Sequence, residues 1–434
     1  MKLYSTSDKN NVVDLKEAVM NALPKDKGLY MPSDIPALDE DFFTTITSRT
    51  FSENAFIIAE KLIGDFIPRD KLEAIVVDAI NFPAPVVDIS EGISTLELFH
   101  GPSLAFKDFG ARFMSRTMSY FNRNEDEKLT ILVATSGDTG GAVAAGFYDT
   151  PGIEVIILYP SGKVSDIQEK QLTTLGKNIY ACEIDGTFDD CQALVKRAFL
   201  DKDLIGKYRL SSANSINIAR LIPQSFYYFE AYKQVVAKNE NVVFCIPSGN
   251  FGNLTAGLIA RKMGLPVKQF IAATNINKVV PDYLQSGNYH PQESFPTISN
   301  AMDVGSPSNF SRMMDLYNHN HSDIKQEVKG FFATDAETEE TMKRVYDQLG
   351  YVLDPHGAIG YRASEEYRNE HPSDHVVFLE TAHPGKFLPT VERVLERKIE
   401  LPQALTSLQH KEKAATPLSN EYDDFKAYLL SRTK

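Results

Sequence analysis

From about residue 128 onward, strand-length apolar runs recur along the chain, and they limit the possible folds more than any other feature of the sequence. They cover residues 129–134, 153–159, 178–184, 241–246, 269–274 and 375–380. The runs are rich in β-branched residues and lack strict polar alternation, which is typical of strands buried on both faces.

Helix-like stretches separate most of these runs. They lie at 139–148, 164–176, 188–199, 217–235 and 253–264. Strand, helix and strand in this order predict right-handed crossovers and a mostly parallel α/β sheet. Pro223 predicts that the helix at 217–235 kinks or starts late, because proline cannot donate a backbone hydrogen bond inside a helix. Residues 275–333 are less regular, and such a region either covers a site or merely connects elements.

The chain has 434 residues and is too long for one ordinary hydrophobic core, so two or three domains are expected. Residues 1–90 predict an N-terminal α+β domain, with helical periodicity at 14–23, 52–64 and 69–80. The two prolines in 82–88 predict an extended connection at its end. A first α/β domain is expected over 91–236. A second α/β region covers 237–434 and ends in a C-terminal extension with a short helix at 421–432.

Composition excludes several classes of function. The net charge of −13 argues against a general nucleic-acid-binding protein and against adhesion to an anionic membrane. The amino terminus lacks the apolar core of a signal peptide, and no apolar run is long enough to span a bilayer. Cys182, Cys191 and Cys245 show no CxxC spacing, so neither a disulfide framework nor a metal site is expected. These features predict a cytoplasmic protein.

Lys107 lies in an unusual local sequence, between Phe106 and Phe109, with Leu104 and Ala105 before Phe106. Burial among such neighbours lowers the pKa of an ammonium group, and a neutral amine is the form that makes a Schiff base. The alternative is a surface lysine whose aliphatic stem lies on a neighbouring phenylalanine.

Two strand–loop–helix junctions, at 131–146 and 243–257, are rich in Gly, Ser and Thr. Glycine allows backbone N–H groups to approach a ligand closely, and a helix amino terminus carries partial positive charge. Each loop therefore has the features of an anion-binding site at the carboxyl end of a parallel strand. Neither matches a nucleotide-binding motif, and the alternative for each is an ordinary tight turn.

Two further segments carry candidate polar residues. Residues 211–220 place amides and hydroxyls ahead of a helix, and Arg220 follows within it; arginine binds phosphate in a bidentate manner. Residues 379–387 end a strand and offer Thr381 and His383 before a Pro-Gly break. The alternatives are a helix cap with a solvated Arg220, and a threonine that only forms a turn.

Several of these segments, taken in their order and spacing, resemble a known family. They are 28–36, 97–113, 134–143, 211–221, 246–258, 271–277, 299–310 and 381–387. Together they resemble pyridoxal-phosphate-dependent enzymes of the tryptophan-synthase-β fold type and, more narrowly, the longer bacterial and fungal threonine synthase family. The resemblance implies two open, mostly parallel three-layer α/β sandwich domains with the cofactor between them, in addition to the N-terminal α+β domain.

The resemblance also implies roles for individual residues. Lys107 would form the Schiff base with pyridoxal 5'-phosphate, and Thr381 would hydrogen-bond the pyridine nitrogen. The loop that holds the cofactor phosphate would comprise Ser248, Gly249, Asn250, Phe251, Gly252 and Asn253. The substrate α-carboxylate would be held by the loop Thr135, Ser136, Gly137, Asp138 and Thr139. The substrate phosphate would be contacted by Asn214, Ser215 and Arg220.

Asp138 departs from the pattern of shorter relatives, which usually carry Asn at this position. The resemblance places residue 138 beside the cofactor, next to its phenolate oxygen. An ionised carboxylate there would repel that oxygen unless the two groups share a proton.

The implied activity converts O-phospho-L-homoserine and water to L-threonine and phosphate by γ-elimination and β-addition of water, the last step of threonine biosynthesis. A monomer is expected from the resemblance alone. Alternatives are a phospho-lyase, a serine or threonine dehydratase, or a non-catalytic relative with the same scaffold. The phosphate-binding residues argue against a dehydratase, whereas only product analysis separates a phospho-lyase.

Overall fold

The computed structural model describes residues 1–135, 137–237 and 241–432. The strands are β1 (Lys2–Ser5), β2 (Asp8–Asp14), β3 (Tyr30–Pro32), β4 (Val86–Ser90), β5 (Ile93–Glu97), β6 (Leu129–Ala134), β7 (Ile153–Pro160), β8 (Ile179–Asp185), β9 (Arg209–Ser212), β10 (Val242–Pro247), β11 (Gln269–Thr274), β12 (Val328–Phe332), β13 (His375–Glu380) and β14 (Thr416–Ser419).

The α-helices are interleaved with these strands. They are α1 (Leu15–Asn21), α2 (Glu40–Thr45), α3 (Phe51–Ile63), α4 (Arg69–Ala79), α5 (Lys107–Asn122), α6 (Asp138–Phe147), α7 (Asp166–Thr173), α8 (Phe188–Leu200), α9 (Lys202–Ile205), α10 (Ile218–Leu221), α11 (Phe226–Val235), α12 (Gly252–Lys262), α13 (Val279–Ser286), α14 (Phe310–Leu316), α15 (His321–Glu327), α16 (Asp335–Leu349), α17 (Pro355–Glu370), α18 (Leu388–Leu395), α19 (Gln403–Thr406) and α20 (Tyr422–Ser431). Short 3-10 turns lie at Ile46–Ser48, Gly64–Phe66, Ile222–Gln224, Asn300–Met302 and Pro384–Phe387.

The first large sheet has five strands in the order β14-β8-β7-β6-β9, and all its pairs are parallel. Strand β6, which lies between β7 and the edge strand β9, is buried at every position. A strand without a polar face needs helices on both sides of the sheet, as the continuous apolar run predicts. The predicted bounds of β6 agree with the structure at both ends.

The second large sheet has six strands in the order β12-β11-β10-β13-β5-β4. Its pairs are parallel except at one edge, where β4 runs antiparallel to β5. Strand β10, near the middle, is buried at every position, and α17 packs against both β10 and β13.

The amino-terminal part of the chain forms a small antiparallel sheet, β2-β1-β3, with helices α1 to α4 beside it. Helix α3 begins with a capping box in which Thr50 and Glu53 satisfy each other's backbone N–H groups. Helices α1 and α4 contact α5, so this unit lies against the first large sheet's helical layer. The three sheets confirm the predicted fold class, in which two mostly parallel α/β sandwiches accompany an N-terminal α+β unit.

Sheet membership crosses the boundaries expected at residues 90 and 236. Strands β4 and β5 belong to the six-stranded sheet, and β14 from the C-terminal extension pairs with β8 of the five-stranded sheet. The division into 1–90, 91–236 and 237–434 stays a prediction about independent units, because pairing over such sequence distances is not visible in local patterns.

One helix is interrupted where the sequence predicts it, and another helix is not predicted by the sequence. The stretch at 217–235 is divided into α10, a 3-10 turn at Ile222–Gln224 and α11, because Pro223 interrupts the helical hydrogen bonds as expected. Helix α5 was not expected as a helix, and it begins at Lys107 itself.

An aromatic run at the start of α11 joins the two large sheets. Phe226, Tyr227, Tyr228 and Phe229 are fully buried. Phe226 contacts Phe113 of α5 edge-on, and Tyr228 contacts Phe244 of β10 edge-on. This shared core fixes the position of α5 relative to the carboxyl end of β10. In the described ranges, no helix is both long enough and apolar enough to cross a membrane.

Candidate active site

A cavity of about 640 Å³ lies where the carboxyl ends of β6, β10 and β13 meet. Ala134, Pro247 and Thr381, which end or directly follow those three strands, are among its lining residues. Ligand sites of open parallel sheets form at this edge, because the loops after the strands converge there.

Lys107 enters the cavity from the first turn of α5. The segment before it is joined to the segment after β13: the Phe106 N–H donates to the Thr381 carbonyl over 2.9 Å, and Ala105 bridges Ala382. These backbone contacts bring Lys107 beside Thr381, and both residues line the cavity. The Lys107 Nζ lies 5.8 Å from the centre of the Phe106 ring.

Burial lowers the pKa of the Lys107 amine to about 8. Asp138 opposes this effect, whereas the positive charges of Arg220 and Lys386 add to it. A lysine with this pKa is partly neutral near pH 7 to 8, as Schiff-base and general-base chemistry require. The sequence-based expectation of a perturbed lysine therefore agrees with the surroundings of Lys107.

The loop after β10 is held in shape by its own amide side chains. The Asn253 Nδ2 donates to the Pro247 carbonyl over 2.8 Å, and the Ser248 hydroxyl contacts the Asn253 Oδ1 at 3.2 Å. The Asn250 amide donates to the Ser215 hydroxyl over 2.6 Å and accepts from the Ser308 N–H over 2.6 Å. Ser248 is thus turned into the loop rather than towards the cavity.

The same loop offers backbone donors to a ligand. Phe251 takes a left-handed conformation with φ of 59°, and α12 begins at Gly252, so its first N–H groups point towards the cavity end of the helix. Gly249 packs against the turn at 300–302: a Cβ there would lie 2.7 Å from the Met302 Cα and 2.8 Å from the Ala301 carbonyl oxygen. Only glycine fits this position without moving backbone.

The loop after β6 is braced by Thr135. Its Oγ1 accepts from the Gly137 N–H over 3.0 Å and from the Gly140 N–H over 2.9 Å. Gly137 has φ of 145°, a conformation that side-chain-bearing residues rarely adopt. Thr135 and Thr139 line the cavity. Ser136, predicted to contact the substrate, lies outside the described residues.

Asp138 does not line the cavity but is buried in its wall. Its Oδ1 lies 2.8 Å from the Lys386 Nζ and accepts from the Gln168 Nε2 over 3.0 Å. Burial alone would raise the pKa of the Asp138 carboxyl, but the charges of Lys386 and Lys107 outweigh burial and hold it well below its usual range. The carboxylate is therefore ionised and already has a buried cation as its partner.

Asn214, Ser215 and Arg220 line the cavity beside the loop after β10. Arg220 is 2% exposed; its Nη1 donates to the Ala213 carbonyl over 2.6 Å, and its Nε has no hydrogen-bond partner. Burial lowers the pKa of the guanidinium to about 10, with Asp108 acting in the opposite direction. Among the described residues no carboxylate forms an ion pair with Arg220, so its charge is left for an anion.

Arg312 is a second buried guanidinium near this group, and sequence patterns did not single it out. It is fully buried and donates to the Tyr30 carbonyl over 2.9 Å and to the Ile216 carbonyl over 2.7 Å. Its Nη1 also donates to the Asn309 Oδ1 over 2.8 Å. Arg312 thus ties the N-terminal sheet to the backbone that carries Asn214 and Ser215, and it adds positive charge nearby.

His356 is another lining residue that sequence patterns missed. Its Nε2 lies 3.2 Å from the Ala301 N–H, and its Nδ1 lies 2.5 Å from the buried Asp354 carboxylate. An Nε2 that accepts leaves the Nδ1 as the donor to Asp354. This link holds the turn at 300–302, which lies within the irregular region 275–333, over the cavity. The region covers a site rather than merely connecting elements.

Most predicted site residues therefore meet in one cavity. The lining includes Lys107, Thr135, Thr139, Asn214, Ser215, Arg220, Gly249, Asn250, Phe251, Gly252, Asn253 and Thr381. Ser248, which is turned into its own loop, and Asp138 are not among the lining residues. The arrangement fits pyridoxal phosphate, because a lysine of lowered pKa, a helix amino terminus for a phosphate and an unpaired Arg220 Nε lie around the same space. In the described ranges no cluster of His, Cys, Asp and Glu suits a metal ion.

Comparison with known proteins gives matches along the whole chain. Residues 94–382 match the family model described as pyridoxal-phosphate dependent enzyme. Residues 2–80 match the threonine synthase N terminus, and residues 357–429 match the threonine synthase C-terminal family.

Individual proteins similar to this chain are threonine synthases. The chain is 46% identical to a threonine synthase of Escherichia coli K12, covering 96% of this chain and 95% of the relative. It is 45% identical to a threonine synthase of Haemophilus influenzae, covering 99% and 100%. Its fold is similar to the crystal structure of a PLP-bound threonine synthase from Brucella melitensis, with a TM-score of 0.94, 34% identity and complete coverage of both chains.

Proposed function

The chain belongs to the threonine synthase family of pyridoxal-phosphate-dependent enzymes, and on that basis we propose that its cavity converts O-phospho-L-homoserine and water to L-threonine and phosphate. One observation supports the substrate most directly. The Lys107 amine shares its cavity with two separate groups suited to phosphate, at the start of α12 and around Arg220. A cofactor phosphate and a substrate phosphate together require two such groups.

We assign Lys107 as the residue that binds the cofactor covalently and transfers protons. When bound, pyridoxal phosphate supplies an electron sink for negative charge that develops on the substrate carbon atoms. In its free form, the neutral Lys107 Nζ removes the proton from the substrate α-carbon. The pKa of about 8 leaves enough neutral amine near neutral pH for this role and still permits the protonated amine to return a proton.

The loop Ser248–Asn253 is the proposed holder of the cofactor phosphate. Its backbone N–H groups and the amino terminus of α12 favour an anion, and Gly249 lets the loop pack directly on the turn at 300–302. Ser248 and Asn253 act indirectly in this proposal, because their side chains fix the loop. Thr381 follows β13 and offers a neutral hydroxyl to the pyridine nitrogen.

The substrate would lie between the loop after β6 and Arg220. Thr135 and Thr139, which line the cavity, are the proposed partners of its α-carboxylate, together with Ser136, which lies outside the described residues. Asn214, Ser215 and Arg220 are the proposed partners of its phosphate. Because Arg220 is buried and no carboxylate in the described part of the chain pairs with it, its charge stabilises the phosphate both in the substrate and as a leaving group.

Product analysis tests the reaction against its alternatives on the same fold. With O-phospho-L-homoserine, a threonine synthase forms threonine and phosphate in equal amounts. A phospho-lyase would release 2-oxobutanoate and phosphate, and a dehydratase would act on unphosphorylated serine or threonine instead. Phosphate release without threonine would contradict the proposed reaction.

The predicted monomeric state and cytoplasmic location stay predictions. Light scattering of the purified enzyme and fractionation of cells that express it would test them. Neither result changes the proposed chemistry, because every residue assigned to the site comes from one chain.

A further inference from the structure

A buried ion pair in the cavity wall joins the two large sheets. Asp138 begins α6, directly after the loop that follows β6, and Lys386 lies in the turn Pro384–Phe387 after β13. The Lys386 Nζ lies 2.8 Å from the Asp138 Oδ1; Lys386 is 0% exposed and Asp138 is 7% exposed. No role in the assigned chemistry accounts for either charge.

The pair is held in one orientation by its other partners. The Lys386 Nζ donates to the Ser103 carbonyl over 2.8 Å, four residues before Lys107. The Gln168 Nε2 donates to Asp138, while the Gln168 Oε1 accepts from the Ser165 hydroxyl over 3.2 Å. The Ser165 hydroxyl also lies 3.3 Å from the Lys386 carbonyl. Residues of two further segments, at Ser103 and at Ser165 and Gln168, thus fix the charged atoms.

Both charges of the pair act on the pKa of Lys107. Asp138 favours the protonated form of Lys107, and Lys386 and Arg220 disfavour it. The charge of Lys386 also lowers the pKa of Asp108 and of His383, and Asp108 raises the pKa of Arg220. Without Lys386, the ionised Asp138 would act on Lys107 through a low-dielectric interior with no adjacent cation to cancel it.

We propose that Lys386 is a positioning residue that neutralises Asp138 and so keeps the Lys107 amine available in its neutral form. This also answers the objection to a carboxylate at position 138, because a carboxylate paired with a buried cation presents little net charge to the cofactor. The inference rests on the proposed role of Lys107. It differs from a purely structural role, because it requires a defined change in the protonation of another residue.

The direct test measures how fast added pyridoxal phosphate becomes attached to the apoenzyme as a function of pH. The rate follows the neutral fraction of Lys107, and the readout is the visible absorption of the bound cofactor rather than turnover. Lys386→Met should move the midpoint of this profile upward by about one pH unit, so that attachment at pH 7 slows about tenfold. Lys386→Arg keeps the charge and should restore most of the rate.

A substitution of Asp138 gives the complementary experiment, in which the other partner of the ion pair is removed. Asp138→Asn leaves Lys386 unpaired near Lys107 and should move the midpoint downward. The double variant Asp138→Asn with Lys386→Met should lie between the two single variants, near the unaltered enzyme. Asp108, His383 and Arg220 are present in all four proteins, so the difference between the single and double variants isolates the Asp138–Lys386 pair.

Two results overturn the inference. One is an unchanged midpoint in a folded Lys386→Met protein. The second result is an unchanged or raised midpoint in Asp138→Asn. This second result decides the question if Lys386→Met does not fold. A Lys107→Ala control should give no bound absorption at all. If the unaltered enzyme also fails to gain that absorption, the proposed role of Lys107 fails instead, so the two failures are distinguishable.

Discussion

Gly110 connects the packing of α5 to the position of Arg220, and Gly110→Ala should damage substrate use more than cofactor binding. A Cβ at residue 110 would lie 2.9 Å from the Arg220 Nε and 2.9 Å from the Arg220 carbonyl oxygen. The second atom belongs to the backbone, so α10 must move as a unit. A shift of about 0.5 Å restores an ordinary contact of 3.4 Å.

The size of the effect follows from two opposing contributions to stability. Overpacking at such a contact costs about 1–3 kcal/mol, whereas alanine in a helix interior is favoured over glycine by about 1 kcal/mol. We therefore expect a loss of about 0–2 kcal/mol in the free energy of unfolding.

The same shift should also affect catalysis. Because a 1 Å misplacement of a positioning group can cost about 100-fold in rate, a shift half as large should lower kcat/KM about tenfold.

Steady-state assays of threonine formation give kcat/KM, absorbance titration gives the affinity for pyridoxal phosphate, and urea unfolding gives stability. Gly206→Ala is the matched control, since its new Cβ would meet nothing closer than the Lys202 carbonyl oxygen at 3.6 Å. We expect the control to leave all three quantities unchanged. If Gly110→Ala is folded and keeps its kcat/KM within about twofold, the proposed dependence on the position of Arg220 is wrong.

Further predictions concern Lys107, Arg220 and Arg312. Lys107→Ala should abolish turnover and the absorption of the bound cofactor while circular dichroism shows an intact fold; retained activity would contradict the assignment of this lysine. Attachment of pyridoxal phosphate to the apoenzyme should accelerate about tenfold per pH unit below about pH 8 and level off above it, because burial lowers the pKa of Lys107 to about 8 and only the neutral amine reacts. A flat profile between pH 6 and 9 in stopped-flow absorbance would refute this. Arg220→Ala should lower kcat/KM for O-phospho-L-homoserine about 10- to 100-fold, because a charge-assisted hydrogen bond is lost, but leave cofactor affinity nearly unchanged; equal losses would indicate a structural role. Arg312→Met should reduce the free energy of unfolding by about 3 kcal/mol or more, because the Tyr30 and Ile216 carbonyls lose buried donors. Chemical denaturation measures this loss, and an unchanged midpoint would show that water replaces the guanidinium.

The Asp138–Lys386 pair illustrates why a motif alone gives an incomplete description of a site. At the level of sequence, a carboxylate at position 138 conflicts with a cofactor beside it. In the folded protein, Lys386 approaches from the turn after β13 and neutralises that carboxylate at 2.8 Å. Residues 138 and 386 are 248 positions apart in the chain (386 − 138). No local pattern connects them, since their proximity depends on how the two sheets pack.

Several features were determined by the sequence itself. The buried strands β6, β10, β11 and β13 lie within one residue of their predicted positions, because a strand enclosed on both faces is mostly apolar along its length. Pro223 interrupts the helix at 217–235 whatever the helix packs against, because proline has no backbone N–H to donate. The glycine-rich loops after β6 and β10 follow from the same local chemistry, and so does their suitability for anions.

The tertiary structure alone decided which distant segments share the site. Strands β4 and β5 join the six-stranded sheet, β14 joins the five-stranded sheet, and α5 begins at Lys107 because its preceding segment is bonded to the Thr381 segment. Arg312 and His356 have unremarkable neighbours in sequence, and Lys386 lies in the segment 379–387 without an assigned role. All three acquire their roles only through contacts made across the fold. A side chain's burial and partners depend on the packing of remote elements, and that packing is set by the shared core of the two sheets rather than by any short stretch of chain.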